Sequence, residues 1–216
     1  MTDAVLLTGF APFAGECVNP SERIVAELDG TTIAGCRVVG AVLPVAFAAT
    51  RRGIEDLLDL HSPRLVLAIG QAGGRAALSL ERVAINLVDA RIADETGTQP
   101  VDESVVADAP AAYFPRLPLK AMRARLQGLG IPAELSLSAG TFVCNQAFFA
   151  LMHRLATHHP GIRGGFIHVP WLPEQAAAHP GEPSMALETM VDGVRAAIDC
   201  ALTTDRDLHV AGGTTH

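Results

Sequence analysis

The residue with the clearest chemical potential is Cys144, set in Ser138-Ala-Gly-Thr-Phe-Val-Cys144-Asn-Gln. It follows a predicted strand and a glycine turn, and it opens a predicted helix. A thiol at a helix amino terminus faces the positive end of the macrodipole, which favours the thiolate. The same position aims free backbone N–H groups at an oxyanion formed beside the sulfur. Such a nucleophile needs a base, and the base needs a group to hold it. Of eight histidines, His168 alone falls inside a predicted core strand, near the carboxyl end where open α/β sheets place their sites. His158, His159, His179, His209 and His216 read as solvated loop or tail residues, His61 as a helix end and His153 as a helix-surface residue. The third member should be a buried carboxylate or amide. Glu81 lies in an apolar stretch, where an acid is costly unless paired. Asp89 and Asp94 are rivals, and spacing does not decide among the three.

Other chemistries leave no signature. There is no H-E-x-x-H and no Cys/His cluster with zinc spacing, so no metal or other cofactor is expected. The loop Gly70-Gln-Ala-Gly-Gly74 lacks the lysine of a phosphate-binding P-loop and does not fit G-x-G-x-x-G. Cys17, Cys36 and Cys200 read as ordinary small buried side chains. No two cysteines form a C-x-x-C pair, and Met1-Thr2-Asp3 lacks the basic start of a secretory signal. Reduced thiols and a cytoplasmic location are the expectation.

The elements that must position these residues follow from the apolar pattern. Short apolar runs at Ala4–Thr8, Ile33–Leu43, Arg64–Ile69 and Gly165–Val169 read as strands, those near-continuous in character being buried on both faces. Ala133–Ser138 is a further strand, and Leu78–Leu87 alternates as a strand at a sheet margin would. Helical spacing marks Ser21–Leu28, Ala46–Leu60, Leu119–Leu129, Asn145–Thr157 and Ser184–Leu202. Asn19-Pro20-Ser21-Glu22 supplies a cap, a proline at the first position and acid in the first turn. Asp94–Pro118 has little periodicity and many turn formers and reads as a long, partly irregular excursion. Strands alternating with helices predict an α/β sheet covered on both faces.

The chain's 216 residues, 49% hydrophobic and 18% charged, suit one folded domain over 1–202, with a flexible polar tail over 203–216. A net charge of −7 argues against nucleic acid or an anionic membrane as a partner. The longest apolar run, Val38–Ala49, is broken by Pro44 and is too short to span a bilayer.

Several blocks, in order, resemble the pyroglutamyl peptidase I family of cysteine peptidases, which remove amino-terminal pyroglutamate. They are Thr8-Gly-Phe-Ala-Pro-Phe-Ala-Gly15 with Asn19-Pro-Ser21; Gly70–Gly74; Leu80-Glu-Arg-Val-Ala-Ile-Asn86 with Asp89-Ala-Arg-Ile92; Ser138–Asn145; and Gly165–Pro170 with Leu172-Pro-Glu-Gln175. The resemblance covers Leu6 to about Ile198. It implies Cys144 as nucleophile, His168 as general base and acid, and Glu81 as the group orienting His168. It also implies a single-domain open α/β/α sandwich with a twisted mixed sheet, and a homodimer or homotetramer. The chain departs from the pattern at Ala14, where the family more often has glycine, and around Asp108-Ala-Pro110 and Phe114-Pro-Arg116.

A pyroglutamyl ring is a neutral lactam without a free amine. Its site needs flat apolar walls and a few hydrogen bonds to the lactam edge. Phe10 and Phe13 suit the walls, and the resemblance adds Ile92, Phe142 and Val143 to the lining. Gln71 can donate and accept and is the candidate lactam partner. Arg91 is a candidate second oxyanion donor, and Asn19 a helix cap that also braces the substrate loop. Two other classes compete: a phosphate- or nucleoside-handling α/β enzyme using the Gly70 loop, and a non-catalytic binder of 5-oxoproline or capped peptides.

Overall fold

The computed structural model describes residues 2–213. A central sheet of seven strands has the order β2-β3-β1-β4-β9-β5-β8. These are β1 (Thr2–Phe10), β2 (Thr32–Ile33), β3 (Cys36–Leu43), β4 (Pro63–Gln71), β5 (Leu78–Glu81), β8 (Ala133–Ser136) and β9 (Arg163–Val169). A separate two-stranded ladder joins β6 (Ala84–Ile85) to β7 (Ala112–Tyr113). The helices are α1 (Pro20–Leu28), α2 (Phe47–His61), α3 (Leu119–Gly128), α4 (Val143–Thr157), α5 (Pro173–Ala176) and α6 (Leu187–Thr203). The sheet is mixed: β3, β1, β4 and β9 run parallel, whereas β5 is antiparallel to β9 and β2 to β3.

The period of two along each strand sorts side chains onto two cores. Val5 and Leu7, Leu65, Leu67 and Ile69, and Ile167 and Val169 pack with α1, α3 and α6. Leu6 and Phe10, Val66 and Ala68, and Phe166 pack with α2 and α4. Each fully buried leucine or phenylalanine contributes about 1.5–3 kcal/mol relative to exposure. The same alternation places Gly70 and His168 on the α4 face, which positions the site. Leu78 and Leu80 of β5 belong to the α6 core, so Ser79 and Glu81 turn toward the α4 face with His168.

Three sequence expectations shift in detail. The run over 33–43 is a hairpin, because Ala34 and Gly35 take φ of 46° and 79° and reverse the chain between β2 and β3. β5 is interior, paired on both sides by β9 and β8, and all four of its residues are buried. Helix α4 begins at Val143, two residues before the spacing predicts, so Cys144 lies inside its first turn. At the other end of the chain, the Asp207 carboxylate accepts hydrogen bonds from Lys120 N (3.2 Å) and Ala121 N (2.9 Å). It thereby serves the start of α3, where Pro118 provides no side-chain cap. Of the segment expected as a tail, residues 214–216 lie outside the described residues. Among the described residues no helix is long and apolar enough to cross a membrane.

Candidate active site

The carboxyl ends of β1 and β4, the start of α4 and Trp171, just beyond β9, border a cavity of about 650 Å³. Cys144 lines it as the second residue of α4, so its N–H is among the four helix-start donors without an intrahelical acceptor. A Cβ added at Gly70 would lie 2.9 Å from the Cys144 Sγ. Gly70 pairs in register with His168 on the neighbouring strand. The sulfur therefore sits over the strand position beside the imidazole, and only the missing side chain of Gly70 leaves room for it.

His168 is 4% exposed and its Nδ1 is 2.8 Å from Glu81 Oε1. Glu81 is fully buried. The same Oε1 accepts from Arg75 Nη1 at 2.7 Å, while Oε2 has no partner among the described residues. A carboxylate beside a guanidinium is an acceptor, so His168 Nδ1 carries the proton and donates it to Glu81. Nε2 is left as the basic nitrogen. Arg75 also donates to the Ser138 carbonyl at 3.0 Å, tying the carboxylate to the loop that leads into Cys144. Sequence reasoning missed Arg75; it stands just after a glycine-rich loop, close to Glu81 along the chain but far from Ser138, and nothing in the loop's composition separates it from a solvated arginine. Asn145, fully buried, exchanges hydrogen bonds with Ile85 N and O and donates to Leu87 O, which clamps the chain beyond Glu81 to α4.

The electrostatics differ from the helix-dipole expectation of a resting thiolate. Burial first, and then the Glu81 charge, push the Cys144 thiol up to about 12, with Arg75 opposing. Burial also holds His168 below its ordinary value, although the hydrogen bond and charge of Glu81 pull the other way. At neutral pH the arrangement is therefore a thiol beside a neutral imidazole. A thiol in this state can act as a nucleophile only by giving its proton to a base, not as one half of a preformed ion pair.

Across the cavity, Phe10, Phe13 and Phe142 form the apolar wall. The Phe142 ring lies 5.6 Å from Phe13 and meets Phe47 edge-on at 5.2 Å. Val143 reaches the cavity but is fully buried in the α4 core, so much of its role is packing. Asn19 is 7% exposed; its Oδ1 accepts from Ser21 N (3.0 Å) and its Nδ2 donates to Ala11 O (3.1 Å). It thus caps α1 and holds the Phe10–Phe13 loop at once. Gln71 lines the floor, half-buried, while Arg91 and Ile92 lie exposed at the rim.

The two rival carboxylates go elsewhere. Asp94 accepts from the Phe47, Thr96 and Thr98 N–H groups; burial raises its pKa, but these bonds outweigh it and hold the carboxyl below its ordinary value. Asp89 is exposed, and its backbone is tied to Thr141. The Gly70–Gly74 loop makes a poor anion cradle: Gly73 is covered by the Trp171 ring, and the nearest cation, Arg75, is bound to Glu81. His179, expected to be solvated, stacks on Trp171 with centroids 4.1 Å apart, approaches Glu16 at 3.4 Å and lines the same cavity. Among the described residues no group of three or more His, Cys, Asp or Glu converges as a metal centre.

Comparison with known proteins extends the picture over nearly the whole chain. A family model described as pyroglutamyl peptidase matches residues 3–204. A pyrrolidone-carboxylate peptidase from Cupriavidus taiwanensis is 56% identical over 213 residues, covering 98% of this chain and 99% of the relative. One from Escherichia fergusonii is 51% identical over 212 residues, with the same coverage. The crystal structure of pyroglutamyl peptidase I from Bacillus amyloliquefaciens superposes with a TM-score of 0.94 at 41% identity, covering 98% of this chain and 100% of its own. A mutant pyrrolidone carboxyl peptidase from Pyrococcus furiosus superposes with a TM-score of 0.90 at 43% identity, covering 92% and 98%.

Proposed function

The chain belongs to the pyroglutamyl peptidase family, and from that premise we propose that it removes amino-terminal pyroglutamate from peptides, with Cys144 as nucleophile, His168 as base and acid, and Glu81 as the group that orients His168. The observation that carries this assignment is the buried Glu81–His168 hydrogen bond beside the Cys144 thiol, at the foot of an aromatic-walled cavity.

In the first step His168 Nε2 takes the proton from Cys144 Sγ as the sulfur attacks the pyroglutamyl carbonyl carbon. The helix-start N–H of Cys144, with Arg91 as second donor, stabilises the oxyanion. Collapse breaks the C–N bond, and His168 passes its proton to the departing amine, leaving a thioester. Water, deprotonated by His168, then attacks the thioester; pyroglutamate leaves and the thiol regains its proton. Glu81 keeps Nδ1 protonated and stabilises the imidazolium formed in each half. Phe10, Phe13, Phe142, Val143 and Ile92 enclose the ring, Gln71 meets the lactam edge, and Asn19 holds the loop. Intact acid, base and nucleophile favour this reading over a non-catalytic binder.

Residues 1–202 form one peptidase domain in this reading, and the chain acts in the cytoplasm as a dimer or tetramer. Its net charge of −7 supports peptide rather than nucleic-acid or membrane partners. Hydrolysis of a pyroglutamyl arylamide tests the assignment. Wild type should cleave it, and Cys144→Ser should lower kcat/KM by on the order of 10³-fold or more. A serine variant with near-wild-type activity would remove the thiol from the mechanism.

A further inference from the structure

Gln175 closes the block Leu172-Pro-Glu-Gln175, and nothing in the catalytic steps uses it. It is 4% exposed, on the short helix α5 below the cavity floor. Its Oε1 accepts from the backbone N–H of Leu172 at 3.1 Å. Its amide nitrogen faces three oxygens: Val18 O (3.2 Å), Glu16 Oε2 (3.2 Å) and Gln71 Oε1 (2.9 Å). Reversing the amide would set its N–H bonds against the Leu172 N–H, and its oxygen against a carbonyl and a carboxylate. The network therefore admits one orientation.

That orientation propagates. With Gln175 presenting only N–H, Gln71 must turn its own oxygen toward it. Gln71 Oε1 is engaged in this way, and its Nε2 has no partner among the described residues. On a half-buried side chain that lines the cavity, the group offered to a ligand is a donor. We infer that Gln175 is a positioning residue that sets the polarity of substrate recognition, turning Gln71 so that the pocket reads the ring carbonyl of pyroglutamate rather than its ring N–H. This inference rests on the reading of Gln71 as the lactam partner.

The polarity decides which rings are accepted. A prolyl residue has the same five-membered ring and a ring nitrogen bearing hydrogen, but no ring carbonyl. An acceptor at this place would serve both rings; a donor serves only the lactam and leaves the prolyl ring facing an unpaired N–H.

The test compares kcat and KM for pyroglutamyl and prolyl arylamides of one leaving group, in wild type, Gln175→Glu, Gln175→Met and Gln71→Met. A carboxylate at 175 offers only acceptors, so Gln71 is driven to reverse and present oxygen to the cavity. The pyroglutamyl-to-prolyl ratio of kcat/KM should then fall about tenfold or more, carried by a rise in KM for the pyroglutamyl substrate. Gln175→Met removes the lock without adding charge and should lower the ratio by about threefold. It carries the test if the glutamate variant, with Glu16 beside it, fails to fold. Melting temperature and the rate of Cys144 alkylation report an intact site. If Gln71→Met collapses the ratio while both Gln175 variants leave it unchanged, or lower both substrates in proportion, Gln175 is only structural and the inference fails. If Gln71→Met itself leaves the ratio unchanged, Gln71 is not the lactam partner, and the failure lies with that reading.

Discussion

Glu81 and His168 are 0% and 4% exposed on strand ends, whereas across the cavity Ile92 is 41% exposed and Phe13 sits in a loop. The catalytic wall is built from β5, β9 and the first turn of α4, tied together by Arg75 and Asn145. The recognition wall is built from the loops after β1 and around Asp89–Ile92, and it contains Ala14 at a φ of 56°. Proton transfer demands positions held to a fraction of an ångström, which packed elements supply. Enclosing a ring demands surface that can close and reopen, which loops supply at the cost of local strain. On the proposed function, the proton-transfer groups stand on packed strands and a helix start, and much of the substrate-facing surface stands on loops.

If that division is right, damage to the catalytic wall should be far larger than damage to the other. Glu81→Ala should have the largest effect, lowering kcat by about 10²- to 10⁴-fold with little change in KM. Loss confined to KM would move Glu81 from the catalytic to the recognition wall. Arg75→Gln keeps Glu81 and His168 but removes the cation from Oε1 and from the Ser138 carbonyl. Kcat should fall about tenfold, and unaltered kinetics would show that β5 and β9 hold Glu81 without help.

The buried ionisable pair also sets a pH window for stability. His168 binds its proton less readily folded than unfolded, whose value is 6.5, because burial disfavours the cation. The unfolded chain therefore gains protons first as pH falls below about 6.5, and stability falls with it. The Cys144 thiol ionises near 9.0 when unfolded and near 12 when folded, so stability also falls as pH rises above about 9. The melting temperature should be highest between these limits, and Cys144→Ala should flatten the alkaline limb alone. An unchanged alkaline limb in that variant would place the ionising group elsewhere.

The smallest effect belongs to the recognition wall. Ala14→Gly should relieve left-handed strain and stabilise the fold by about 0.5–1 kcal/mol, read from a denaturant midpoint, with kcat unchanged. Destabilisation would show that the alanine methyl packs against something that matters more than its torsion.

The strand-and-helix alternation, the cap at Asn19 and the positions of Cys144 and His168 were legible in the sequence, because each is a local pattern of period or capping chemistry. The choice of Glu81 over Asp89 and Asp94 was not legible from spacing; the family resemblance made it. In the structure, residue parity along β5 turns Glu81 to the face that carries His168, a fact that exists only once β5 lies antiparallel to β9. Arg75, Gln175 and the Trp171–His179 stack were illegible for a related reason. Gln175 meets Gln71 and Glu16 from a distant part of the chain, whereas Arg75–Glu81 and Trp171–His179 are near in sequence but belong to no periodic pattern, and an isolated arginine or glutamine has the composition of any solvated surface. The burial and the Glu81 charge that push the Cys144 thiol up were not legible, because they depend on the whole tertiary structure, whereas the helix dipole that favours the thiolate is a local property.

Gly70 has a backbone that any residue could adopt, yet an added methyl group would meet both the Cys144 sulfur and the Phe166 ring at 2.9 Å. One carbon there would dislodge the nucleophile while leaving every reacting group in the chain intact. An inactive relative carrying alanine at this position would look fully equipped by its catalytic residues alone, so a reader of such sequences should check the vacancy beneath the thiol as carefully as the thiol itself.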